Sequence, residues 1–357
     1  MGNGEFGMEK ECLRCFVLVV SFCNMKTGIL LVNLGTPEAP TTSAVKAYLG
    51  EFLMDPYVVD IPFLLRWLLV KGVILNTRPK RSARAYQQIW TDQGSPLLVH
   101  SLSFCDKLRR YLPEDVTLAL GMRYGRPSIA RAASELANCD RVKVLPCFPQ
   151  YSLAATASAV EQARLELARY FSADQVSVVE DFFDREFYIN AWVHLLREYH
   201  RPDHHLLFSY HGLPVKQLDK VASCRDRCSR QGHCLAVSDF NRQCYRAQCY
   251  ASTAAIASAL GLQREQYSVS FQSRLGKIPW IQPYTDDILV QLRQSGVNQL
   301  QVVCPSFVVD CLETLEEIGD RAKAQWLSLS GKSFGLIPCL NDRVDWVAAV
   351  AKFLRLL

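Results

Sequence analysis

Short apolar runs alternate with segments of helical period along almost the whole chain, and this alternation leaves few architectures open. Residues 28–33, 116–121, 142–146 and 176–179 read as buried strands, as do 206–210, 267–271, 300–305 and 333–338. Residues 101–111, 128–137, 157–170, 185–199, 251–260 and 286–295 carry helical period between them. Strand alternating with helix predicts an α/β protein with parallel sheets. Eight strands over 357 residues divide naturally into two sheets of four. No internal repeat is visible in the sequence.

In such folds ligand chemistry sits just past the C-terminal ends of strands. The segments that follow the strands are NLGTPEAP, MRYGRP, CFPQYS, HGLP, QSRLGKIPW, SFVVDCLETLEE and CLND. Most combine Gly or Pro turns with polar or aromatic groups. A net charge of +5 is mild for this length and argues against nucleic acid as the main partner.

The first 24 residues contain the apolar run CFVLVVSFC, too short to span a bilayer and not followed by a small-residue cleavage site. A second methionine, Met25, stands just before the first strand, so the working fold is expected to begin there.

Two constellations carry chemistry. His211 follows the strand at 206–210 and is held in a tight turn by Gly212 and Pro214. A lone histidine is more often structural, but this position presents its side chain, and neutral imidazole can ligate a metal or take a proton. The segment SFVVDCLETLEEIGD places Asp310, Glu313, Glu317 and Asp320 at three- and four-residue steps. As an α-helix it carries four carboxylates on one face, a repulsive stripe suited to conducting protons or cations. A solvated acidic face is the ordinary alternative.

Of the 14 cysteines, Cys105, Cys147, Cys304 and Cys339 sit singly in apolar segments and read as core residues. Cys224, Cys228, Cys234, Cys244 and Cys249 instead crowd a polar, basic stretch. Four thiolates suit zinc or an iron–sulfur cluster, and their spacing leaves the metal open.

NLGTPEAP, PQYS, SYHGLP, FQSRLGKIPWIQPYTDD and FVVDCLETLEEIG, in this order, resemble the ferrochelatase family, and the resemblance runs from Thr27 to the C-terminus. It implies two Rossmann-like lobes, each with a four-stranded parallel sheet flanked by helices, as in class II chelatases. The expected division is an extension at 1–24, a first lobe at 25–155 completed by a last helix at 340–357, and a second lobe at 156–339. The second lobe contains the cysteine-rich insert, 220–250. The implied activity is that of a lyase inserting Fe²⁺ into protoporphyrin IX to form protohaem, with release of two protons, as the last step of haem biosynthesis. A chelatase for another metal or tetrapyrrole, cobalt chelatase-like, and a non-catalytic haem or metal carrier are the competing readings.

The resemblance assigns His211 and Glu313 to iron binding or pyrrole proton removal, with Asp310, Glu317 and Asp320 as an acidic rail. It places Leu34, Arg123, Tyr124, Trp280 and Phe307 on the walls of the porphyrin site. Tyr48, Leu49, Phe52 and Leu53, which recur at helical spacing, match its hydrophobic lip. Some members carry histidine where this chain has Cys311. Resemblance to cluster-bearing members favours [2Fe–2S] in the insert, on Cys224, Cys228, Cys234 and Cys244 with Cys249 as substitute. Residues 63–70, FLLRWLLV, extend the apolar surface. Arg78, Lys80 and Arg81 suit propionates or lipid head groups. A cytoplasmic protein in peripheral contact with the inner face of the membrane is therefore expected.

Overall fold

A computed structural model describes residues 25–221, 236–276 and 278–356. Eight strands form two four-stranded sheets. β1 (Thr27–Thr36), β2 (Val116–Gly125), β3 (Arg141–Pro146) and β4 (Val176–Val178) pair in the order β2-β1-β3-β4. β5 (His205–His211), β6 (Tyr267–Gln272), β7 (Gln299–Val303) and β8 (Ser333–Leu336) pair in the order β6-β5-β7-β8. All six pairings are parallel, and β1, β3, β5 and β7, each paired on both sides, are buried along most of their length and read as largely continuous apolar runs rather than alternating ones. The expected α/β architecture, two four-stranded parallel sheets flanked by helices, is the observed one.

Both sheets share one strand order, a repetition of topology with no counterpart in the sequence. In each, the order turns back on itself at the first strand, β1 or β5, and the crevice for ligands opens beyond the C-terminal ends there. His211 is the last residue of β5, and Leu34 lies near the end of β1.

One boundary moves. β4 pairs with β3, Val142 opposite Val176, so the first sheet continues past residue 155, where the sequence reading had ended the first lobe. The final helix, Val344–Leu356, packs against the helices Pro96–Arg109 and Glu186–Tyr199. Lys143 of β3, itself buried, donates from Nζ to the carbonyl of Leu354 at 3.1 Å, occupying one of the acceptors a helix leaves open at its end.

The helix Thr42–Met54 shows how local sequence sets the mouth of the crevice. Thr41 caps it, its hydroxyl accepting from the Ala44 amide at 3.3 Å. It stops at Asp55 because Pro56 follows and disfavours helical backbone at the preceding residue. Its buried face, Val45, Tyr48, Leu49 and Leu53, packs with Tyr86 and Tyr124.

Candidate functional site

The imidazole of His211 is oriented by its own turn. Nδ1 lies 2.6 Å from the carbonyl of Gly212. A carbonyl oxygen only accepts, so Nδ1 carries the proton, which in the neutral tautomer leaves the lone pair on Nε2. The backbone amide of His211 donates to Ser306 Oγ at 3.1 Å, and Tyr245 Oη donates to the His211 carbonyl at 2.8 Å. The ring lies against Phe307 and Trp280, with centroids 6.1 and 6.5 Å away. Gly212 permits this geometry: its amide donates to the Gln272 carbonyl at 2.8 Å, and a Cβ there would stand 2.6 Å from that same oxygen.

The acidic segment is a π-helix, Glu313–Ala322, not an α-helix. A π-turn closes hydrogen bonds five residues back, so residues four apart line up better than alternating steps of three and four. This corrects the expected four-carboxylate face. Asp310 precedes the helix and is buried, its carboxylate accepting from Thr314 Oγ1 at 2.9 Å, Asn341 Nδ2 at 2.7 Å and the Cys339 amide at 3.2 Å. Asp320 is exposed. Glu313 and Glu317 remain in one line, and the next position in it is Arg321.

Glu317 is anchored by Ser273, whose amide donates to Oε1 at 2.7 Å and whose hydroxyl donates to Oε2 at 2.6 Å. Burial pushes its carboxyl above the ordinary range; the Ser273 hydroxyl, then His211 and Arg321, oppose that rise, and Glu313 adds to it. The Glu313 carbonyl accepts from Gln272 Nε2 at 2.8 Å. Burial, and next the Glu313 carboxylate, push the hydroxyl of Tyr86 and the thiol of Cys311 well above their ordinary values. Cys311 is therefore a buried neutral thiol beside Glu313.

Arg123 and Tyr124 converge on Asp55, which sequence reasoning missed. Asp55 Oδ2 accepts from Arg123 Nη2 at 2.5 Å, Tyr124 Oη at 2.7 Å and Ser158 Oγ at 2.6 Å, while Oδ1 accepts from the Tyr57 amide at 2.8 Å. The Arg123 guanidinium also lies 4.6 Å from the centre of the Tyr124 ring. The only signal in the sequence was an acid placed before proline at the end of an apolar helix.

Of the expected lip residues, Tyr48, Leu49 and Leu53 are buried core side chains, and Phe52 alone keeps an accessible part, stacked on Tyr48 and edge-on to Tyr124. Leu34 and Phe307 are half-buried, whereas Trp280 is buried and donates from Nε1 to the Leu275 carbonyl at 2.9 Å. Next to this cluster, Phe63, Leu64, Leu65, Trp67, Leu68 and Val73 are all exposed, the first two by 65% and 66%. So large an apolar strip is unusual on a water-facing surface. No helix among the described residues is long and apolar enough to cross a membrane.

Cys244 is the capping residue before the helix Tyr245–Leu260 and is buried in the same apolar cluster as Cys249. Cys224, Cys228 and Cys234 lie outside the described residues. Among the described residues no three His, Cys, Asp or Glu side chains form a metal-binding group.

Residues 26–356 match the family model described as Ferrochelatase. The chain is 46% identical over 353 residues to a ferrochelatase of Coxiella burnetii (strain RSA 493 / Nine Mile phase I), covering 98% of each chain. It is 48% identical over 326 residues to one of Legionella pneumophila (strain Philadelphia 1), covering 91% of this chain and 98% of that one. Among solved structures, SirB from Bacillus subtilis with Fe³⁺ superposes with a TM-score of 0.52 at 10% identity, covering 93% of this chain and 95% of that one, a likeness of fold alone.

Proposed function

The chain belongs to the ferrochelatase family, and from that premise we propose that it is a lyase that inserts Fe²⁺ into protoporphyrin IX, releasing two protons and forming protohaem. The observation that carries the residue-level reading is the 2.6 Å contact between His211 Nδ1 and the Gly212 carbonyl.

With Nδ1–H bonded to Gly212, the Nε2 lone pair is the reactive group. It can take a pyrrole proton or bind iron, but not both at once, so the two roles must alternate. Glu313 and Glu317 supply carboxylates along the π-helix for the second proton and for guiding the cation. A partner carboxylate and one imidazole hold iron loosely, which suits a metal that must be handed on rather than kept. Phe307, Leu34 and Phe52 offer apolar surface to the macrocycle, and Arg123 and Tyr124, fixed by Asp55, furnish the wall behind Phe52. Binding energy from the apolar body of the substrate is available to bend the ring and expose a nitrogen lone pair.

The exposed strip 63–73 supports peripheral contact with a membrane, from the cytoplasmic side, where protoporphyrin partitions. Arg78, Lys80 and Arg81 follow it in sequence and suit anionic head groups. A [2Fe–2S] cluster on Cys224, Cys228, Cys234 and Cys244 is the reading that thiolate chemistry supports for the insert. Bound there, such a cluster would cross-link the insert or register iron supply, since insertion itself transfers no electron.

The test is anaerobic Fe²⁺-dependent loss of protoporphyrin fluorescence with haem appearing in turnover amounts. A carrier would give at most one equivalent, and a chelatase for another tetrapyrrole would leave protoporphyrin unchanged.

A further inference from the structure

Four successive backbone groups around His211 are each held by a different part of the chain. The His211 amide donates to Ser306 Oγ at 3.1 Å, just past β7. The His211 carbonyl accepts from Tyr245 Oη at 2.8 Å, and Tyr245 is the first residue of the helix Tyr245–Leu260. The Gly212 amide donates to the carbonyl of Gln272, at the end of β6, and the Gly212 carbonyl meets His211 Nδ1. The carbonyl of His211 and the amide of Gly212 are the two ends of one planar peptide unit, so Tyr245 and Gln272 grip that unit from opposite sides. Glycine does little to fix its own backbone angles. Without the grips the unit can reorient, and the spacing of the imidazole and the Gly212 carbonyl changes with it.

Tyr245 is itself firmly held. Its side chain is buried, and burial, then Cys249, push its hydroxyl well above the ordinary range. The hydroxyl therefore stays protonated and remains a donor. One turn along the helix, buried Gln248 accepts from the Tyr151 amide at 2.6 Å and donates to the Arg242 carbonyl at 2.6 Å. One turn further, Ser252 accepts from Gln150 Nε2 at 3.0 Å and donates to the Phe183 carbonyl at 2.8 Å. Arg242 in turn pairs with Asp184 at 2.7 Å and Asp181 at 3.3 Å. Gln150 and Tyr151 belong to the PQYS segment, which follows β3 of the first sheet. A segment of the first sheet thus braces the helix that holds the His211 carbonyl in the second.

We propose that Tyr245 is a positioning residue for iron insertion: its hydroxyl locks the peptide between His211 and Gly212, so that the imidazole keeps its proton on Nδ1 and presents Nε2, and the PQYS segment keeps Tyr245 in place. Tyr245 acts through His211 and itself exchanges neither proton nor metal. The idea rests on the iron-insertion reading above.

The experiment compares wild type with Tyr245→Phe, which removes one hydroxyl, and Tyr245→p-aminophenylalanine, which restores a donor. Tyr245→Phe is expected to lower kcat about tenfold or more, with KM for Fe²⁺ and for porphyrin within about twofold of wild type, because orientation is lost and binding is not. Spectra of ¹⁵N-histidine-labelled, porphyrin-free protein in mildly alkaline buffer report the tautomer, with His211→Gln identifying the signals. Wild type should carry the His211 proton on Nδ1, Tyr245→Phe should show both tautomers, and the amino variant should recover both the tautomer and kcat. Urea unfolding checks that each variant keeps the fold. A fall in kcat with the tautomer unchanged, or a changed tautomer with kcat unchanged, overturns the proposal, as does a Tyr245→Phe protein equal to wild type in both. If wild type inserts no iron and the tautomer still shifts in Tyr245→Phe, the grip on His211 stands and the reaction reading falls.

Discussion

Asp55 and Arg123 form an ion pair of 2.5 Å across 68 residues of sequence, with the Asp55 side chain 1% exposed and that of Arg123 18% exposed. The pair joins the end of the helix Thr42–Met54 to β2. Asp55→Ala would leave a guanidinium and two hydroxyls without their shared acceptor. The expected loss is about 3–5 kcal/mol of unfolding free energy, measured by urea denaturation. Removing both partners in Asp55→Ala/Arg123→Met should restore part of it; a loss below about 1 kcal/mol would show that the pair is not what fixes this wall.

His211→Ala and Glu313→Gln should each reduce iron insertion by at least a hundredfold, consistent with losing a positioned base or ligand. Both should keep wild-type unfolding transitions and bind protoporphyrin, since apolar surface dominates that affinity. Turnover within tenfold of wild type in either variant would remove that residue from the reaction.

Asp342 gives a pH-dependent prediction. Burial would raise its carboxyl, but hydrogen bonds from Lys107 at 2.5 Å and Ser103 at 2.6 Å, with the Lys107 charge, outweigh burial and hold it at about 2. A depressed carboxyl contributes stability that is fully present above its unfolded value of about 3.9 and is lost as pH falls toward the folded one. The melting-temperature gap between wild type and Asp342→Asn should therefore be constant above roughly pH 5 and close on acidification toward pH 2. A gap that widens in acid would contradict the assignment.

The strip 63–73 predicts membrane affinity that depends on its leucines. Each buried leucine contributes on the order of 1.5–3 kcal/mol, so Leu64→Glu/Leu68→Glu should weaken co-sedimentation with anionic vesicles by more than about tenfold. Activity on detergent-dispersed porphyrin should persist. Equal sedimentation of variant and wild type would reject the strip as the contact.

Anaerobic purification tests the cysteine insert. A visible absorption spectrum with two iron and two sulfide per chain, lost on Cys228→Ser, is expected of a [2Fe–2S] centre. Colourless protein holding zinc, or no metal, would reject it. Loss of colour in Cys249→Ser with retention in Cys244→Ser would exchange the fourth ligand.

What the sequence makes legible depends on the range of the interactions. His211 is readable because an apolar strand ends at a glycine turn, and both features are local. Asp310 and Glu317 look alike in the sequence, but Asn341 and Cys339, about thirty residues away, claim Asp310. Helical period marks Tyr48, Leu49, Phe52 and Leu53 as one face without saying whether the face meets core or ligand; the neighbours that decide, Tyr86 and Tyr124, come from other elements. The π-helix is hidden because acids at steps of three and four satisfy an α-helix equally well. Asp55 is nearly invisible, since Arg123, Tyr124 and Ser158 reach it from 68 to 103 residues away.

The hydrogen bond from Lys143 to Leu354 spans 211 residues, and the helix that bears Leu354 covers the helix Pro96–Arg109 with Trp346 against Phe104. During synthesis, the first sheet is made long before this cover leaves the ribosome. Until then Phe104 lacks its Trp346 neighbour and Lys143 lacks its carbonyl. The first half of the chain must therefore wait, with apolar surface open to chaperones or to misassociation, while the second half is translated.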